Sequence, residues 1–232
     1  MTGRVHSIQS MGTVDGPGVR YVVFLQGCNL RCACCHNPDT WSTGEGVEYT
    51  AEEIVSRAER FREYFGREGG VTLSGGEPLL QADFAREVFD RCHKAGINTC
   101  LDTSGSLLTD AVKALLGETD RVLLDVKYTT DELYQRYVGC GLKRVLEFLD
   151  YLDEKGIATT LRQVVIPGLN DNAENVLRLK AIARSHKCVD KVELLPFRKL
   201  CEVKYKAMSI DFPLANVDEP TGEKMTSLRA ML

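Results

Sequence analysis

No apolar run in the 232 residues approaches the roughly 20 that cross a bilayer, and the opening MTGRVHSIQS lacks the apolar stretch of a secretory signal. The expectation is a soluble, cytoplasmic protein. Positive charge is not in surplus either. The 29 basic and 33 acidic residues are well mixed and leave a formal net charge of -4, so no basic stripe advertises nucleic acid or an anionic membrane surface. Low-complexity linkers and short repeats with a common residue signature are also missing, and one domain spanning 1–232 is expected. What the chain has instead is nine cysteines. A disulfide framework suits small secreted domains with little core, whereas 44% hydrophobic content supplies an ample core here. Metal ligation is the better account of the clustered cysteines.

An apolar strand, a loop and an amphipathic helix recur along the chain. Strands are predicted at 21–26, 71–74, 97–102, 122–126, 159–166 and 191–195, each dense in apolar residues as buried parallel strands require. Helices are predicted at 50–65, 79–95, 109–116, 131–155 with a break near 139–141, and 173–186, with Gly96 and Gly156 as C-terminal stops. Alternation of this kind means a parallel sheet with right-handed crossovers. Six units are fewer than the eight that close a full barrel. The expected fold is α/β, a partial (β/α)6 barrel open on one side.

Cys28, Cys32 and Cys35 form a C-x3-C-x2-C set directly after the first predicted strand, at the strand end where barrel sites lie. Zinc would want four closed ligands. Cys34 or His36 could be a fourth, but a structural zinc motif normally brings a second ligand pair from elsewhere, and none is present. Three thiolates suit a cubane iron-sulfur cluster whose fourth iron stays open. Cys92, Cys100, Cys140, Cys188 and Cys201 are scattered without ligand spacing and read as small buried hydrophobes. Residues 37–72 hold no cysteine.

The triplet, the segment GTVDGPGVR at 12–20 before it and HNPDTW at 36–41 after it resemble the radical S-adenosylmethionine superfamily, and within it the activators of glycyl radical enzymes. SGGEP at 74–78 closes the second strand, where glycines let backbone come close to a ligand, and a plain strand-to-helix turn is its structural alternative. The resemblance implies cluster ligation by Cys28, Cys32 and Cys35. It implies cofactor binding by Cys34, His36, Asn37, Gly75, Gly76, Glu77, Asp102, Thr103, Asp125, Val126 and Lys127, with Asp102 and Asp125 acting directly or through a bound monovalent cation. Arg162 lies in an otherwise apolar strand, and a buried guanidinium needs an anionic or polar partner, so it is expected to face the cofactor.

Two departures from the family stand out. Cys34 occupies the position where an aromatic side chain usually rests against adenine, which leaves weaker adenine packing and competition as a ligand both open. The histidine expected near the cofactor is not evident after Glu193–Phe197. The implied enzyme is an oxidoreductase that cleaves S-adenosylmethionine reductively at a [4Fe-4S] cluster, the 5′-deoxyadenosyl radical then taking hydrogen from a glycine of a partner of the pyruvate formate-lyase type. Asp15 is the candidate for gripping that partner's loop, with a simple turn role as its alternative. Flavodoxin or ferredoxin is the implied reductant. The rival readings are the activator of anaerobic ribonucleotide reductase, which is shorter, a small-molecule radical S-adenosylmethionine enzyme, and a one-cluster electron carrier, which would need no Gly75-Gly76 turn.

Overall fold

A computed structural model describes all 232 residues, in two compact units: Met1–Asn29 with Thr40–Leu123, and Leu30–Asp39 with Leu124–Leu232. In the first unit the chain runs β1 (Thr2–Gly12), β2 (Arg20–Leu25), β3 (Val47–Thr50), α1 (Ala51–Glu59), α2 (Arg62–Phe65), β4 (Gly70–Gly75), α3 (Ala82–Lys94), β5 (Asn98–Thr103) and α4 (Asp110–Leu116). β6 (Arg121–Asp125) carries the chain onward. β2, β4 and β5 are parallel neighbours in register, Val22 beside Thr72 and Thr72 beside Cys100. β1 lies antiparallel to β2 on one side and to β3 on the other.

Local chemistry explains these elements. Thr50 caps α1 reciprocally with Glu53, its hydroxyl accepting the Glu53 amide at 3.1 Å while the Glu53 carboxylate accepts the Thr50 amide at 2.8 Å. Ala51, Ile54, Val55 and Ala58 then fall on one buried stripe. Phe84, Ala85, Val88, Phe89 and Cys92 do the same on α3. β4 is buried at every position up to Gly75, as a strand covered on both faces must be.

The second unit comprises α5 (Asp131–Tyr137), α6 (Leu142–Lys155), β7 (Ala158–Val165), α7 (Ala173–Ser185), β8 (Val189–Pro196), α8 (Glu202–Ala207) and α9 (Gly222–Arg229). β7 and β8 are parallel, with Leu161 opposite Val192 and Arg162 opposite Glu193. The expected break between α5 and α6 is present, and Gly156 ends α6 with φ of 66°.

All six predicted strands exist. The sequence pattern does not announce β1, β3, α8 or α9. β1 alternates buried and open positions because only one of its faces is covered, so it lacks the continuous apolar run that marks a buried parallel strand. β3 is a short edge strand with two exposed residues, and α9 buries only Met225 and Leu228. The chain is an α/β protein with a mostly parallel sheet that is not closed into a barrel. No helix is long and apolar enough to cross a membrane.

Candidate active site

In the first unit the ends of β4 and β5 are zipped together. Ser74 donates to Asp102 Oδ2 at 2.7 Å. Gly75 turns the chain with φ of 112°, and a Cβ there would lie 2.3 Å from the Leu25 amide nitrogen. A Cβ on Gly76 would lie 2.1 Å from the Gly27 carbonyl oxygen. Both glycines are thus demanded by backbone pressed against backbone, and the Gly76 amide donates to the Leu25 carbonyl at 2.9 Å.

Glu77, 1% exposed, holds this turn. Its Oε1 accepts the Thr103 hydroxyl at 2.6 Å and the Leu79 amide at 3.2 Å, and its Oε2 accepts the Ser104 amide at 3.0 Å and the Ser104 hydroxyl. A carboxylate offers about four acceptor sites, and four protein donors meet them here. Burial pushes its pKa up against the pull of those bonds. The geometry makes Glu77 a clamp on the turn and on the Thr103–Ser104 end of β5. Asn29 joins the same end, its amide donating to Ser106 at 3.2 Å.

Asp15 is partly exposed on the lead segment, and its carbonyl accepts the Thr72 hydroxyl at 2.8 Å. Thr72 in turn accepts Arg20 Nε at 3.0 Å. Arg20 is fully buried and also donates to the Glu68 and Val71 carbonyls at 2.9 and 2.7 Å and to the Asn98 side chain at 2.8 Å. Sequence reasoning passed over Arg20. Its role rests on acceptors about 50 to 80 residues away, which no local pattern announces.

In the second unit three charged residues converge. Lys127 Nζ pairs with Asp125 Oδ2, and Arg162 Nε stands 3.5 Å from Asp125 Oδ1. Val126 between them is tied by its amide to the Arg162 carbonyl at 2.9 Å and by its carbonyl to the Gln163 amide at 3.0 Å. Burial alone would raise the Asp125 pKa, but Lys127 and then Arg162 outweigh it and hold the carboxyl below its ordinary value. Burial would lower Lys127, yet Asp125, then Cys32 and Cys34, keep it well above the usual lysine range.

A carboxylate whose folded pKa is depressed contributes stability that is present above its unfolded pKa of about 4 and is lost as pH falls through the folded value. Asp125→Asn is therefore expected to be less stable at pH 7 by about 3 kcal/mol, the scale for removing one partner of a buried pair. It should also lose less stability than the wild type on acidification below about pH 4. Denaturant melts across that window decide the point: equal acid losses in both proteins would refute it.

The cysteine loop in this unit is held from both sides. The amides of Arg31 and Ala33, which flank Cys32, donate to the carbonyls of Val138 and Tyr137 at 3.3 and 2.8 Å. The Cys35 amide closes a turn on the Cys32 carbonyl at 3.0 Å. Tyr205 of α8 donates its hydroxyl to the Cys35 carbonyl at 3.2 Å, Lys204 reaches Asn37 at 2.9 Å and Asp39 at 3.0 Å, and His36 Nε2 lies 3.0 Å from the Arg198 carbonyl. Burial lowers the His36 pKa and pushes the Cys34 thiol up to about 11. The segment after Phe197 thus contributes Arg198, Lys204 and Tyr205 as a latch on the loop.

Cys28, Cys32, Cys34 and Cys35 are each partly exposed, Cys92, Cys100, Cys188 and Cys201 are buried as expected, Cys140 is partly exposed and not the buried hydrophobe expected, because it lies in the turn between α5 and α6, and no disulfide exists. No three or more His, Cys, Asp or Glu side chains are gathered to hold a single metal ion. A cubane asks for something different, one thiolate on each of three irons.

Residues 22–179 match the Radical SAM superfamily. Over 233 aligned residues the chain is 43% identical to pyruvate formate-lyase 1-activating enzyme of Escherichia coli (strain K12), covering 99% of this chain and 95% of the relative. It is 43% identical over 231 residues to pyruvate formate-lyase-activating enzyme of Clostridium pasteurianum, covering 99% and 97%. A solved domain of pyruvate-formate lyase-activating enzyme from Bacteroides vulgatus ATCC 8482 superposes with a TM-score of 0.59 at 22% identity, over 71% of this chain and 92% of that one. That likeness bears on the fold alone.

Proposed function

We propose, from the premise that this chain belongs to the radical SAM superfamily and within it to the pyruvate formate-lyase-activating enzymes, that it installs a glycyl radical on an enzyme of the pyruvate formate-lyase type. The observation that carries this reading is near-full-length identity to activators at 43%, together with the C-x3-C-x2-C set kept intact at Cys28, Cys32 and Cys35. Membership implies a [4Fe-4S] cluster and S-adenosylmethionine. When bound, they supply one-electron cleavage of the sulfonium and hydrogen abstraction from the partner's glycine.

The residues present fit that pair. Cys28, Cys32 and Cys35 offer partly exposed thiols, in no disulfide, within eight residues of chain, and Lys127 is a cation held beside Cys32 and Cys34. In our assignment Cys28, Cys32 and Cys35 ligate the cluster. The backbone of the Gly75-Gly76 turn receives the methionine amino group of the cofactor, whose N–H groups need carbonyl acceptors, and Glu77 holds that turn in shape. Asp102, Thr103, Asp125, Val126 and Lys127 at strand ends and Arg162 within β7 orient the remainder, with Cys34, His36 and Asn37 on the loop. Fixing the sulfonium in a reactive pose and excluding water are the protein's share of the catalysis. We place the enzyme in the cytoplasm, as a single functional domain over 1–232, with flavodoxin or ferredoxin as reductant. The test is electron paramagnetic resonance of a candidate partner after anaerobic incubation with the reduced protein and S-adenosylmethionine. A glycyl radical signal is expected, and its absence from every pyruvate formate-lyase type partner would overturn the reading.

Asp15 is assigned to the partner's glycine loop. Asp15→Ala is expected to lower glycyl radical yield by on the order of 100-fold, the cost of misplacing a reacting group by about 1 Å, while partner-free formation of 5′-deoxyadenosine continues. A parallel fall in both activities would put Asp15 in the cofactor site or the fold instead.

A further inference from the structure

Tyr128 follows Lys127 at the end of β6, is 1% exposed, and its hydroxyl has no hydrogen-bond partner. Buried phenols normally find one. The neighbouring Tyr134 does so, accepting the Lys127 amide at 3.0 Å and donating to the Asp125 carbonyl at 3.4 Å. The Tyr128 ring meets Tyr134 edge-on at 6.3 Å and lies tilted against Tyr137 at 5.6 Å. Tyr137 is also the residue whose carbonyl takes the Ala33 amide, and the adjoining Val138 takes that of Arg31. The short stretch that supports the Tyr128 ring is therefore the one that fixes the backbone on either side of Cys32. After burial, Cys34, Tyr137 and Cys32 are the groups that push the Tyr128 pKa upward, which agrees with a hydroxyl set among the loop's sulfurs.

We infer that the Tyr128 hydroxyl donates a hydrogen bond to a sulfur at the Cys32 corner of the iron-sulfur cluster and thereby raises the cluster's reduction potential. The inference rests on Cys32 being a cluster ligand, as proposed above. Sulfur becomes more electron-rich when the cluster is reduced, so a donor aimed at it stabilises the reduced state more than the oxidised one. Tyr128 is a tuning residue that makes the cluster easier to reduce. The cysteine spacing alone would not reveal it.

The test is a redox titration of the anaerobically reconstituted protein, followed by electron paramagnetic resonance. Tyr128→Phe keeps the ring and its contacts, so iron content should match the wild type while the midpoint potential moves to a more negative value. With 3,5-difluorotyrosine at position 128, a stronger donor, the midpoint should move to a more positive value. Melting temperature gives an independent readout: Tyr128→Phe should raise it in the metal-free protein, where the hydroxyl is unsatisfied, and should not raise it in the loaded one. An unmoved potential in both variants would overturn the inference. So would equal melting shifts in the two states, the mark of a merely structural phenol. A protein that took up no iron at all would instead strike the assignment of Cys32, which keeps the two failures distinct.

Discussion

Replacing Cys32 by Ala should abolish the cluster: iron should fall from about four per chain in the anaerobically reconstituted protein to near none, and the absorbance and electron paramagnetic resonance of the cluster should go with it. The same outcome is expected for Cys28→Ala and Cys35→Ala. Each thiolate holds one iron, and outside the loop no other cysteine stands at ligand spacing to replace it. Cys201→Ala is the control. Cys201 is buried just before α8, and burial raises its pKa, so it is held as a neutral thiol within the hydrophobic interior. Iron content and signal should survive that change. Cys34 is the sharper comparison, since it sits within the loop. It stands outside the C-x3-C-x2-C set, and Cys34→Ala is expected to keep its iron. Full iron loading in Cys32→Ala would break the ligand assignment, and iron loss in Cys34→Ala would add a ligand to it.

The second large effect is expected at Glu77, although its carboxylate has no acceptor site to spare for a cofactor. Glu77→Ala strips four donors of their acceptor at once: the hydroxyls of Thr103 and Ser104 and the amides of Ser104 and Leu79. An unsatisfied buried group costs about 1–3 kcal/mol, and the two hydroxyls can rotate to other partners while the two amides cannot. The expected loss is on the order of 3 kcal/mol in denaturant unfolding, together with weaker S-adenosylmethionine binding because the glycine turn is no longer pinned to β5. Glu77→Gln should fall between. One oxygen still accepts, while the new NH2 group faces donors. A double-mutant cycle with Ser104→Ala separates the clamp from direct contact, since the clamp requires the two losses in cofactor affinity to be strongly non-additive. Additive losses, or an unstable Glu77→Ala protein that binds the cofactor with undiminished affinity, would refute it.

Much of this protein is legible in the chain alone. β2 and β6 are nearly continuous apolar runs because both of their faces are covered, and that property shows without any knowledge of partners, whereas β4 and β5 are largely buried but interleave polar residues such as Thr72, Ser74, Thr99 and Asp102. The capping box at Thr50 and Glu53 and the glycine ending α6 are likewise matters of a few adjacent residues. β1 was not legible for the opposite reason: with one covered face it alternates, and polar residues such as His6 and Gln9 dilute its signal. In the site, the sequence marks Gly75 and Gly76 as places where backbone can come close to a ligand. The structure adds that they are already obliged to be glycine by the backbone of Leu25 and Gly27.

What the sequence determined by itself is therefore the chemistry whose parts lie close together along the chain: the three thiols within eight residues, the glycine turn, and the charged residues at strand ends. Spacing over a few positions is set by the geometry of one strand, turn or helix, so it can be read directly. Tertiary structure alone decided which groups face one another across long separations. Lys204 meets Asn37 from 167 residues away and Tyr205 meets Cys35 from 170, while Arg20 finds its acceptors across three strands and Tyr128 is left with none. Hydrogen bonds of that kind are fixed by how elements pack, and packing depends on side-chain volume and burial throughout a unit, which no local periodicity carries.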